Sequence, residues 1–295
     1  MQLLVEAIGF GIASGAVIAL GAVGFSVQFG MSNILNITYG SLMTLGAYLG
    51  LVLIDRGVNA WIALAAAGAV IGVVSVGFHR WLLAPLVRRG TRAFAIVIVT
   101  VSAGVVLQYV IVAFAGPDAK SYGEQSGQTF HLAGLILTAS QVVIILLTTV
   151  LMLALHLLLT RTTLGRAMRA TASNRILAQS CGINTDRISD VAWLLSGVLC
   201  GAAGVALAIT TVSFDFSLGP VFLIPMIAAA VIGGVGQPYG AMLGGLIVGV
   251  SSELAGAVTD PSYKDVVAFL ILIVFLLIRP RGLFGAATSA RRLMA

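Results

Sequence analysis

The chain has 295 residues, 59% of them hydrophobic and only 9% charged, with 16 basic and 10 acidic side chains giving a net charge of +6. Soluble domains carry about 25% charged residues, so this composition, with a mean hydropathy of +1.10, excludes a soluble globular enzyme. Thirty-five glycines on a charge-poor chain point to a polytopic helical membrane protein whose helices approach closely.

Met1–Glu6 lacks the positive n-region of a signal peptide, so the first apolar segment reads as a retained helix. Crossing about 30 Å of hydrocarbon takes roughly 20 apolar residues. Suitable segments lie near residues 7–29, 37–54, 60–87, 93–115, 135–159, 191–212, 221–233, 241–258 and 265–278. The seventh is short and contains Pro225, leaving eight or nine spans. The alternation of a β-barrel is absent.

The first connection, Phe29 to Gly40, sets Asn33 and Asn36 among glycines between apolar runs. Irregular backbone at membrane depth survives only inside protein or beside a cavity. The two asparagines therefore either satisfy carbonyls of a broken helix or, with Tyr39, line a pathway. Gln28, Ser102, Gln108 and Ser196 are further uncharged candidates for a lining. Glu253 is the one acid well inside an expected helix; such carboxylates are costly and mark function by default, although a hydrogen bond to a neighbouring helix is an equal reading.

Two connections are long. Residues 116–133 form a polar, glycine-rich loop expected to pack as a cap or plug. Residues 160–189 read as a short amphipathic helix bracketed by Gly165 and Gly182, with Ala167, Ala170, Ile176 and Leu177 against Arg166, Arg169 and Arg175. By composition it either docks on a protein or lies on anionic headgroups.

Thirteen of the 16 basic residues fall in three places: Arg80 to Arg92, Arg161 to Arg187, and Arg279 to Arg292. Nine spans put all three on one side, opposite Asp55, Asp118, Glu124, Asp215, Asp260 and Asp265. The positive-inside bias makes the arginine side cytoplasmic, with the N-terminus outside and the C-terminus inside. The charge marks topology and gives no reason to expect nucleic acid.

Glycines spaced four apart at Gly11/Gly15, Gly46/Gly50, Gly68/Gly72, Gly197/Gly201, Gly240/Gly244 and Gly245/Gly249 read as packing seams. The run Gly233 to Gly240 lacks a Walker lysine and fails the dinucleotide fingerprint, so it reads as a tight re-entry into the next span. His79, His131 and His156 do not cluster, and Cys181 and Cys200 show no CxxC spacing, which leaves no metal-ligand set. An ion-coupled secondary transporter would carry several buried ionisable groups. Here only Glu253 stands out. A membrane-embedded enzyme would need a cluster of such groups.

Thr163-Leu164-Gly165-Arg166-Ala167-Met168-Arg169-Ala170, continuing through Asn174 and Ala178 to Gly182-Ile183-Asn184-Thr185-Asp186-Arg187, resembles the cytoplasmic loop of ABC-importer permeases for branched-chain amino acids, of the LivH type. The Asn36–Gly40 break before Gly46-Ala47-Tyr48 is similar, as are Val231-Ile232-Gly233-Gly234-Val235-Gly236 before Tyr239-Gly240-Ala241 and the endings Tyr263-Lys264-Asp265-Val266-Val267 and Arg279-Pro280-Arg281-Gly282-Leu283-Phe284-Gly285. Relatives commonly read Asn-Phe-Ala-His-Gly where this chain has Asn36-Ile37-Thr38-Tyr39-Gly40, which leaves the cargo open among branched-chain and other amino acids, short amides and urea. The long N-terminal extension frequent in urea permeases is missing, which disfavours urea.

The resemblance implies an all-α polytopic permease fold of the branched-chain amino acid/ribose type, with broken or re-entrant segments, forming one transmembrane domain over residues 1–295. It further implies a bacterial inner-membrane assembly working by alternating access. A second, related permease would complete the channel, two ATP-binding subunits would carry ATP and Mg, and an extracytoplasmic binding protein would deliver substrate. This chain would hold no cofactor. Leu164, Gly165, Arg166, Arg169, Ala170, Asn174, Ala178 and Gly182 would form the coupling loop, whose small-residue face (Ala167, Ala170, Ala178) suits a protein groove.

Overall fold

A computed structural model describes residues 2–123, 129–132, 135–211, 213–258, 264–279 and 282–283. Glu124, Asp260, Arg281, Arg291 and Arg292 lie outside the described residues, as does part of the 116–133 loop.

An unbroken apolar run makes α1 (Gln2–Ser32). It stops where Asn33 takes a left-handed conformation (φ 52°) and its N–H donates to the Phe29 carbonyl (2.7 Å), a C-cap that asparagine tolerates among non-glycine residues. Next come α2 (Thr38–Asp55) and α3 (Ala60–Phe78). A π-helical turn at His79–Leu83 then leads into α4 (Ala84–Arg88). Pro85 has no N–H to offer the carbonyl four residues earlier, and the ladder widens just before it, keeping 60–88 one continuous rod. The helix α5 (Ala93–Ala115) ends at Gly116 (φ 82°).

The connection between α5 and the next span contains an antiparallel hairpin, β1 (Thr129–Leu132) and β2 (Leu135–Thr138), in register Thr129 with Thr138. A capping box of Thr138 and Gln141 opens α6 (Ala139–Arg161). The span expected from residue 135 thus begins four residues later, because a capping threonine and strand pairing take the first residues of the apolar run. There follow α7 (Thr163–Ser173), α8 (Arg175–Ser180), α9 (Thr185–Thr210), α10 (Leu218–Gly233), α11 (Pro238–Val258) and α12 (Lys264–Ile278).

Among the described residues seven helices, counting 60–88 as one, are long and apolar enough to cross a bilayer. Two more are apolar but shorter: α10 with 16 residues and α12 with 15, about 24 and 22 Å at 1.5 Å per residue. The expected eight or nine spans correspond to these seven plus two.

Inside the bundle, α1 packs mainly on α11 and α9 and also meets α10 and α6. In turn α9 lies against α3, α1 and α2; α2 also meets α5 and α10, and α12 stands outside α10 and α11. Glycines make the tightest crossings. A β-carbon on Gly46 would come 2.8 Å from the Gly201 Cα, and one on Gly197 2.8 Å from the Gly72 Cα. Gly245 presses on Ala19, Gly249 on Gly15, Gly244 on Ala229 and Gly240 on Gly233. Gly50 faces Val205 and the Tyr122 hydroxyl. Where lipid offers no hydrophobic gain on helix association, such backbone approach supplies the dispersion contact.

The described part of the 116–133 loop is tied down. Lys120 and Phe214 exchange backbone hydrogen bonds of 2.8 Å, and the Phe214 ring sits edge-on to Tyr48 and Tyr122. The Tyr122 hydroxyl donates to the Ala47 carbonyl (2.6 Å), and burial pushes its pKa above the ordinary phenol value. Tyr122→Phe removes this one bond and should lower stability by about 1 kcal/mol, read as a small fall in melting temperature with the fold intact.

Candidate functional site

Two regions bring the polar side chains together. The first is the break between α1 and α2. On the last turn of α1, Gln28 is fully buried, and its Oε1 accepts the Ser196 hydroxyl of α9 (3.1 Å). One turn further along α9, the Cys200 thiol donates to the Tyr39 carbonyl (3.3 Å). The Tyr39 hydroxyl donates to the Gly21 carbonyl (2.9 Å), and its ring stands edge-on to Phe25 at 5.7 Å.

From the opposite side α5 grips the broken backbone. The Thr100 hydroxyl accepts the Ile37 N–H (3.3 Å) and reaches the Leu35 carbonyl (3.3 Å), while Thr38 donates to the Thr100 carbonyl (2.5 Å). Asn36 is wholly buried in this frame, and among the described residues neither its amide nitrogen nor its amide oxygen has a hydrogen-bond partner. Gln28 Nε2, Ser26 Oγ and Trp193 Nε1 are likewise buried without partners among the described residues. The seam is therefore polar, uncharged and under-satisfied, a condition rare enough in native interiors to call for a reason.

Of the eight pathway residues named from sequence, Gln28, Asn36, Tyr39 and Ser196 are buried around the break. Asn33 is exposed at its edge, serving as the cap of α1. Gln108 is half-buried on α5, donating to the Phe216 carbonyl (3.4 Å). Ser102 is exposed on the far face of α5. Two residues from Thr100 is 200° around a helix, which turns it away, whereas Thr100, Gly104 and Gln108 recur every four residues on the inner face. That four-residue spacing is the signal that could have found Thr100. Glu253 sits elsewhere, paired with Lys264 at 2.7 Å, where it pins α12 to α11.

The second region gathers arginine-bearing segments at one end of the bundle. The stretch read as one helix forms two, α7 and α8. Thr162 caps α7, accepting the Gly165 N–H (3.0 Å), and Asn174 caps α8, accepting the Leu177 N–H (3.0 Å). The left bracket therefore moves, because Gly165 lies inside α7, packed against the last carbonyls of α6. Gly182 (φ 83°) does follow the end of α8.

The outward face also differs from the expected small-residue face. Ala178 points inward at 4% exposure, whereas Ile176 and Leu177 are 77% and 61% exposed. Leu164 and Ala167 are half-buried, and Ala170 and Arg166 are exposed. Arg169 donates to the Leu159 carbonyl, so it caps α6 and positions α7.

Asp186, at the start of α9, joins α8 to α4 by accepting from Arg175 (2.7 Å) and Arg88 (2.9 Å). Asp190, one turn on, meets His79 (3.1 Å) and Arg80 (3.5 Å) at the π turn. Exposed ion pairs add about 0–1 kcal/mol each, so this network serves registry more than stability: the α3–α4 rod and the loop are latched to the same helix. Among the described residues no group of His, Cys, Asp and Glu could hold a metal ion.

Comparison with known proteins agrees with this architecture. Residues 7–276 match the family described as branched-chain amino acid transport system, permease component. The high-affinity branched-chain amino acid transport permease LivH of Escherichia coli K12 is 31% identical over 290 residues, covering 93% of both chains. BraD of Pseudomonas aeruginosa, named for the same transport, is 28% identical over 93% of this chain and 94% of its own. LivM of Salmonella typhimurium is 27% identical over 88% of this chain and 66% of its own. With nine apolar helices among the described residues, a broken seam and a latched arginine loop at one end, and a match running nearly end to end, this chain belongs to the branched-chain amino acid permease family, as a membrane-spanning permease subunit of an ABC importer.

Proposed function

We propose that this subunit carries branched-chain, hydrophobic amino acids across a bacterial inner membrane, by alternating access driven by ATP hydrolysis in partner subunits. The observation that carries the reading is the end-to-end similarity to LivH and BraD, both named for high-affinity branched-chain amino acid transport. A related second permease, of the kind LivM represents, completes the channel. Two ATP-binding subunits dock on α7 and α8, and an extracytoplasmic binding protein delivers cargo. ATP and Mg belong to the docked subunits.

The chemistry of the chain is compatible with this. A permease breaks no bonds and must hold its cargo weakly enough to release it. Amides and hydroxyls around the α1–α2 break supply neutral hydrogen bonds without a trapping charge. Exposed Ile176, Leu177 and Arg166 give the loop an apolar anchor with a cationic rim, suited to a protein groove. The positive-inside bias puts this end in the cytoplasm.

Uptake of labelled leucine by proteoliposomes holding the chain with its ATPases, second permease and binding protein should require ATP. Unlabelled isoleucine and valine should compete; urea should not. Arg166→Glu, at an exposed side chain with no hydrogen bond or ion pair among the described residues, should cut leucine-stimulated ATPase activity at least tenfold while leaving the chain folded. Uptake by this chain alone on an ion gradient would overturn the proposal and establish a secondary transporter.

A further inference from the structure

At the arginine-bearing end, a cavity of about 760 Å³ opens between the end of α1, the π turn and α4, α8 and the start of α9. Four arginines line it (Arg80, Arg88, Arg175 and Arg187) against two aspartates, Asp186 and Asp190, an excess of two positive charges before His79 is counted. The pairing is uneven. Asp186 is shared by Arg88 and Arg175 at 2.9 and 2.7 Å, Arg80 reaches Asp190 only at 3.5 Å, and Arg187 has no ion pair among the described residues. One carboxylate cannot neutralise both Arg88 and Arg175, so the two spare charges lie on that pair and on Arg187, while Arg80, its side chain 68% exposed, is only loosely held by Asp190; all four line the cavity.

Ile34, Pro85 and Val87 give the rest of the lining an apolar part, beside the polar Ser32, Gln179 and Asn184. Trp81, next to Arg80 in the π turn, is 83% exposed, and Phe94, at the start of α5, is 77% exposed. Large aromatics at the ends of membrane helices belong at the headgroup level, and basic pockets between helices at that level hold anionic headgroups. A free phosphate would use the guanidiniums alone. A molecule with a phosphodiester head and acyl chains would use both walls.

We propose that this cavity is a binding site for the phosphodiester headgroup of an anionic phospholipid, held by Arg80 and Arg187 with its chains along Trp81 and Phe94. Asp186 and Asp190 latch the same walls to α9, so occupancy would brace the α3–α4 rod against the loop of α7 and α8. The site stands whatever the chain transports, and its test does not read transport.

The test is native mass spectrometry of the full chain, with any subunits that co-purify, in detergent supplemented with phosphatidylglycerol, phosphatidylcholine or inorganic phosphate. Phosphatidylglycerol should be retained in preference to phosphatidylcholine. Arg187→Gln, which breaks no ion pair among the described residues, should weaken retention about five-fold, as should Arg80→Gln. Arg56→Gln, at the other end of α2, should change nothing. Equal retention of phosphatidylcholine, or retention unaffected by Arg187→Gln, overturns the site. Displacement of phosphatidylglycerol by inorganic phosphate overturns the lipid assignment in favour of a free-phosphate site. Loss of the lipid whenever an ATPase subunit co-purifies overturns it in favour of a protein interface.

Discussion

Gly249→Leu is expected to keep the protein from accumulating as a folded species. A β-carbon at this position already overlaps the backbone of Gly15, with the Gly11 carbonyl 3.0 Å away. Backbone atoms cannot swing aside as a side chain can, so α1 and α11 would have to separate along the most extensive helix pair of the bundle. Overpacking of side chains alone costs about 1–3 kcal/mol, and forcing two backbones apart should exceed that. Membrane-extracted yield and size-exclusion profiles measure the effect, with Gly249→Ala falling between wild type and leucine. The informative control is Gly77→Ala in α3, where the new methyl meets only the Trp81 ring at 3.5 Å. There the same change should be neutral, or stabilising by about 0.5–1 kcal/mol, the helix penalty of glycine relative to alanine. A melting temperature equal to wild type for Gly249→Leu would show that the α1–α11 seam is not closed in the membrane.

Asn36→Leu should separate stability from transport. Leucine has as many side-chain heavy atoms as asparagine, and it removes two buried polar atoms that lack partners among the described residues. Leaving such groups unsatisfied costs about 1–3 kcal/mol, so the variant should melt higher than wild type. If the seam serves passage, the same change should lower leucine uptake at least tenfold, because the amide then contributes in a conformation where it meets cargo or water. Functional sites commonly carry this kind of trade-off. Higher stability with unchanged uptake would assign Asn36 to structure alone. A lower melting temperature would show that its amide is satisfied in the membrane.

Both positions are legible in the sequence, one as a packing glycine and one as a break in an apolar run, but what they meet is not. Hydropathy located the spans to within a few residues because the cost of placing a side chain in hydrocarbon accumulates residue by residue along a segment. The breaks at 33–37 and 234–237 were legible for the same local reason, as asparagine and glycine interrupt apolar runs. Arginine counting separated the two ends of the bundle, and motif order along the chain was enough to identify the permease family. The register within the loop was less legible. Thr162 and Asn174 each cap a separate helix, and that divides a stretch whose residues would equally suit one.

What needed the tertiary structure was the rotation of each helix about its own axis. A bilayer-spanning helix is apolar nearly all round, so periodicity does not reveal which stripe faces protein and which faces lipid. Ser102 and Thr100 look alike along the chain, yet only Thr100 holds the break. Gln28 meets Ser196 across 168 residues, and Arg88 meets Asp186 across 98. Glu253, conspicuous as a lone intramembrane acid, is answered by Lys264 of the next helix. Such pairings depend on backbone approach at particular glycines, and no local preference encodes them. Membership of the bilayer follows from composition, while the polar seam and the arginine cavity exist only once helices distant in the chain have packed.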